Sequence, residues 1–134
     1  MSSVIDIEGI GPKYGEKLRK AGIATTNILL KKGATPKGRQ EIVEASGISR
    51  ELILKWVNFV DLYRIKGVGS EYSELLEKAG VDTVVELSKR VPENLFVKMS
   101  EINKAKKLVR RMPTLKEAKA WIAQAKKLPR VITY

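Results

Sequence analysis

The 134-residue chain contains neither cysteine nor histidine. The first absence excludes disulfides and thiolate metal sites. The second removes the commonest ligand of zinc and other transition metals, and the usual general base of catalysis. Aromatic residues make up only 6% of the chain, too few for a single-strand binder built on stacked bases. Long uncharged runs are also missing. The longest covers residues 21–30, against the roughly 20 apolar residues that a membrane-spanning helix needs. The first residues carry neither the basic start nor the apolar stretch of a secretory signal, so a cytoplasmic protein with no membrane role is expected. No phosphate-loop signature of the form Gly-x-x-x-x-Gly-Lys-Ser/Thr occurs, and no metal or cofactor is implied.

Acidic residues are the minority charge. Lys and Arg number 26 against 15 Asp and Glu, a formal net charge of +11. That balance points to a polyanionic partner, with nucleic acid ahead of other surfaces. The cations are unevenly spread. Residues 98–130 hold eleven Lys/Arg and two Asp/Glu, whereas residues 65–97 hold four Lys/Arg and six Asp/Glu.

What the chain does have is an internal repeat. Residues 7–29 read IEGIGPKYGEKLRKAGIATTNIL and residues 65–87 read IKGVGSEYSELLEKAGVDTVVEL. At a fixed offset of 58, eleven of 23 positions are identical, including Gly9/Gly67, Gly11/Gly69, Tyr14/Tyr72, Leu18/Leu76 and Gly22/Gly80. Such self-similarity marks a repeated structural unit, here a Gly-apolar-Gly turn feeding a helix. Glycine tolerates the positive φ of a tight turn. Its missing side chain lets an anion approach the main chain, and the first turn of a helix adds unpaired N–H groups and a positive dipole end.

Apolar spacing makes the whole chain helical. Pro12 suits a helix start and Gly22 its stop. Thr25 and Thr26 can cap a short helix that Gly33 ends. Thr35-Pro36 opens another helix, which stops at Ser46-Gly47. A long helix is expected over 50–63 with Leu52, Ile53, Trp56, Val57 and Val60 inward. In the second half, helices are expected over 70–78 and 83–90, and another from Pro92 with Leu95, Phe96 and Met99 inward. Ile102, Ala105, Leu108, Val109 and Met112 then mark an apolar helical face that Pro113 breaks. Thr114 and Glu117 form a capping box for the last helix. The division reads as 1–64 and 65–130, two halves packed together, with a loose tail over 131–134.

The pattern apolar-x-Gly-apolar-Gly-x-x-x-small-x-x-Leu, at residues 7–18 and 65–76, resembles the helix-hairpin-helix family. Together with the runs at 62–69, 107–111 and 121–125, the chain from about residue 4 to 128 resembles a bacterial group of tandem hairpin domains catalogued as a domain of unknown function. The resemblance implies an all-α, compact, pseudo-duplicated tandem helix-hairpin-helix domain of the SAM-like helical kind. It also implies that hairpin backbone amides contact phosphates of duplex DNA without reading bases.

The residues expected to bind phosphate are Gly9, Ile10, Gly11, Lys13, Lys17 and Lys20, with Arg19 beside them. A secondary nucleic-acid surface is expected at Lys66, Gly67, Gly69, Lys104, Lys107, Arg110 and Arg111. Lys104, Lys107 and Arg111 lie at spacings of three and four and so share one helix face, with Lys106 and Arg110 as a second row beside them. Glu71, Glu74 and Glu77 give the second hairpin the wrong sign for phosphate, so it reads as mainly structural or as a docking face for a protein. The expected function is a non-sequence-specific duplex-DNA-binding module, with RNA as another nucleic-acid partner. The alternative is a protein-interaction scaffold with no nucleic-acid role. No catalytic role is expected, because Asp6, Asp61 and Asp82 stand in no active-site motif.

Overall fold

The computed structural model describes residues 3–7 and 9–134. Among them the chain is all-helical: a 3-10 turn over Val4–Asp6, eight α-helices and no strand. One isolated bridge pairs Ser3 with Thr25. The chain divides into two compact units, one reaching to Asp61 and including Val131–Tyr134, the other Leu62–Arg130. The division falls three residues before the expected 64/65 boundary, because Leu62 is fully buried in the core of the second unit.

The first unit contains α1 (Gly11–Lys20), α2 (Thr26–Gly33), α3 (Pro36–Ser46) and α4 (Arg50–Leu62) up to Asp61. The starts follow local chemistry. Thr25 Oγ1 accepts from the Ile28 N–H at 3.3 Å, Thr35 Oγ1 from Gly38 at 3.0 Å and Ser49 Oγ from Leu52 at 3.3 Å. Each bond satisfies a first-turn amide and is worth about 1 kcal/mol. Gly22 and Gly47, at φ +87° and +72°, let the chain turn away after α1 and α3. The apolar stripes bury Leu18, Leu29, Ile42, Ile53, Trp56 and Val57. Side chains of this size contribute roughly 1.5–3 kcal/mol each on burial. Tyr14 of α1 rests on Trp56 of α4, ring centroids 5.3 Å apart.

The tail expected to be loose is held. Ile132 is buried. The Thr133 N–H donates to the Ala34 carbonyl at 2.8 Å, and Arg39 donates to the Thr133 carbonyl at 2.8 Å. Arg39 also donates to the Gly33 carbonyl at 2.8 Å. Burial pulls its pKa down, and the carbonyls at its ends take the place of solvent.

The second unit contains α5 (Ser70–Lys78), α6 (Val84–Ser88), α7 (Pro92–Lys106) and α8 (Leu115–Lys127). Its core gathers Leu75, Leu76, Val81, Leu87, Leu95, Met99, Trp121 and Ile122. Tyr72 of α5 rests on Trp121 of α8 at 5.4 Å. The capping box at Thr114 and Glu117 is complete.

The helical stretch expected up to Met112 does not form. α7 ends at Lys106, Ala105 is exposed, and residues 107–114 are irregular. Lys107 takes a left-handed conformation, φ +53° and ψ +48°, and its N–H donates to the Asn103 carbonyl at 2.7 Å. The Asn103 side chain then bonds both main-chain groups of Val109, at 2.9 and 3.2 Å. An asparagine side chain that competes with the helix for the backbone thus turns the chain. Leu108 and Met112 still pack on the core, but from an irregular segment.

Candidate nucleic-acid interface

The first glycine turn is anchored by apolar residues and open at its glycines. Ile7 and Ile10 are buried. The Ile10 N–H donates to the Ile7 carbonyl at 3.2 Å, so Ile10 holds the turn rather than offering its amide. Gly9 and Gly11 have φ +86° and +66°, and a Cβ added to either would meet nothing within 4 Å. The α1 N-terminus that follows has Pro12 in its first turn, no side-chain cap and no acidic residue. Lys13, Lys17, Arg19 and Lys20 are exposed. Arg19 stands 3.7 Å from Glu16, and Lys17 lies 5.9 Å over the Tyr14 ring. Among the described residues, Lys13, Lys17 and Lys20 make no ion pair. The turn and α1 thus put bare main chain, first-turn amides and cations on one continuous segment, the arrangement that attracts an anion.

The second turn differs at the same sequence positions. Gly67 has φ +98°, but Gly69 is extended at φ −113°. A Cβ on Gly67 would lie 3.1 Å from Trp121 Nε1. The Lys66 N–H donates to Gln124 Oε1 at 2.9 Å, and Gln124 Nε2 donates to the Lys66 carbonyl at 3.1 Å. The Val68 N–H donates to the Ile65 carbonyl at 3.0 Å. Glu71 stands in the first turn of α5. A shallow hollow of about 370 Å³ is lined by Gly67, Gly69, Ser70, Glu71 and Tyr72.

The expected C-terminal rows of cations are rearranged. Because α7 stops at Lys106, Lys104 stays on the helix. Lys107, Arg110 and Arg111 lie beyond it, so neither row exists as a helix face. Arg111 is tied to Glu117 by two bonds of 2.9 Å. Its guanidinium lies 6.0 Å from the Tyr72 ring, and the Tyr72 hydroxyl donates to the Arg111 carbonyl at 2.9 Å. The Arg111 hydrogen bonds, with the Thr114 amide second, hold the Glu117 carboxyl down to about 2. The same carboxylate raises Arg111. Arg111 is therefore a structural tie as well as a surface charge. Lys104, Lys106, Lys107 and Arg110 are exposed and make no ion pair among the described residues.

Sequence reasoning did not single out Asn103, Gln124 or Arg39, whose polar side chains bond backbone distant in sequence or beyond a helix end. It also passed over Lys31, Lys32 and Lys37, which border a hollow of about 470 Å³ at the α2–α3 corner. There Lys32 is paired with Glu41 at 3.1 Å. Among the described residues no group of three or more Asp or Glu side chains could hold a metal ion, and no helix is long and apolar enough to cross a membrane.

Fold and site together define a basic, all-helical module with an open glycine turn at the head of its first long helix. The chain belongs to the family described as a domain of unknown function, DUF4332, whose model matches residues 8–128. No curated protein and no solved structure matches it.

Proposed function

We propose that the chain is a non-sequence-specific duplex-DNA-binding module of the tandem helix-hairpin-helix kind, acting by binding rather than catalysis. The observation that carries this reading is the pair Gly9 and Gly11, both at positive φ with open space where a side chain would stand. Phosphate oxygens reach the main chain there, and Lys13, Lys17 and Lys20 supply the charge. The order of elements supports a duplication: each unit runs from a glycine turn through four helices, and the tyrosine of the first rests on a tryptophan of the fourth. Binding of this kind draws its free energy from counterion release and carries little sequence information. Lys104, Lys107 and Arg110 form the secondary surface, and RNA is a less favoured alternative ligand of the same chemistry. The test is titration of a labelled mixed-sequence duplex across a salt series. Log affinity should fall linearly with log salt; a flat response, or no binding near 50 mM salt, a range where phosphate contacts are strong, would sink the reading.

The Glu71 side of the second turn favours a second reading, a docking face for a basic protein segment in the hollow beside Tyr72. Charge reversal at Lys13 and Lys17 separates the two, since it should weaken DNA binding at least about tenfold and spare a partner held at residues 67–72.

A further inference from the structure

The two glycine turns share a sequence pattern and differ in what stands against their glycines, and at the second a side chain holds the Lys66 main chain. From that difference we infer that Gln124 is an internal ligand of the second turn. It closes that turn and leaves the first as the phosphate clamp of the chain. The inference rests on the phosphate-binding reading above and names which turn does the binding.

A carboxamide offers one acceptor and two donors. Gln124 uses both kinds on a single residue, taking the Lys66 N–H at 2.9 Å and giving to the Lys66 carbonyl at 3.1 Å. A phosphate oxygen arriving at the Lys66 amide would have to displace a neutral partner already in place. The Val68 amide is engaged inside the turn, as the Ile10 amide is inside the first. The bare face of Gly67 lies against the Trp121 indole, where Gly9 faces open space. Gly69 is extended rather than left-handed, and Glu71 follows it into the first turn of α5. A carboxylate there stabilises the helix start and repels a phosphate at the same place.

A further contrast lies in the fourth helix of each unit. Trp56 in α4 and Trp121 in α8 each lie against the tyrosine of their own unit. Three residues on, α8 carries Gln124 and α4 carries Phe59, which is buried and has no group to bond a backbone.

The test follows backbone amides of the isotope-labelled full chain by NMR during titration with a short mixed-sequence duplex, alongside affinities of K13E, K66E and Q124A. The Gly9, Gly11 and Lys13 amides should shift, while those of Lys66, Gly67, Val68 and Gly69 hold. K13E should lose at least about tenfold in affinity and K66E less than about threefold at moderate salt. Q124A should speed hydrogen exchange at the Lys66 amide without weakening DNA binding. K66E alters only an exposed side chain, so it reports even if Q124A unfolds the second unit. Shifts at residues 66–69, or an equal loss in K66E and K13E, would overturn this inference and leave the phosphate-binding reading standing. Silence at both turns with K13E binding like the parent would overturn that reading and this inference with it.

Discussion

Gly9 and Gly38 are glycines for opposite reasons, and single alanine substitutions separate them. Gly9 has a left-handed backbone and empty space around it. Gly9→Ala should therefore cost only the conformational penalty, about 1–2 kcal/mol, read as a lower urea midpoint. Gly38 has an ordinary helical backbone, but a Cβ there would collide with the Lys32 carbonyl where α2 turns into α3. Gly38→Ala should cost more, about 3 kcal/mol; a smaller loss than Gly9→Ala would contradict this account. Glu117 makes a third prediction. Its folded pKa, about 2, lies below the ordinary 4.5. Its cap and ion pair therefore stabilise fully above pH 4.5, and that contribution is lost as pH falls toward 2. The side chains are 62% and 34% exposed, so solvent screening keeps the pair's contribution small. Glu117→Gln should lower stability slightly at neutral pH and flatten the acid limb of the stability profile, measured by denaturant unfolding from pH 7 to 2.

At the scale of elements, most helix boundaries were legible because they are written in neighbouring residues. Thr25, Thr35, Thr83 and Thr114 cap the helices they precede, and Pro36 and Pro92 stand in first turns. The end of α7 was not legible. It depends on Asn103 bonding Val109 and on a lysine taking a conformation that local rules give to glycine. Lys107→Gly removes that strain without removing a packed side chain, and should raise stability by about 1 kcal/mol; a loss of stability would show that the lysine stem packs. The docked tail was illegible for a related reason, since Arg39 reaches Thr133 across 94 residues of sequence. The candidate site was half legible. The first turn could be read from its glycines and lysines, and the acidic character of the second from Glu71, Glu74 and Glu77. Its closure by Gln124 depends on a contact that sequence periodicity does not encode.

For the whole molecule, the proposed binding is an electrostatic property centred on the first turn. Each phosphate neutralised adds about 0.9 to the slope of log affinity against log salt. Charge reversal at Lys104, Lys107 and Arg110 should reduce that slope if the C-terminal surface shares the duplex, and leave it unchanged if the first turn acts alone. The most direct measurement is the salt-dependent affinity of the full chain and its K13E/K17E variant for one labelled mixed-sequence duplex, with circular dichroism confirming that the variant remains helical. The account predicts a steep linear salt dependence in the parent and a loss of at least about tenfold, with a shallower slope, in the variant. Equal affinity and equal slope in the two folded proteins would contradict it.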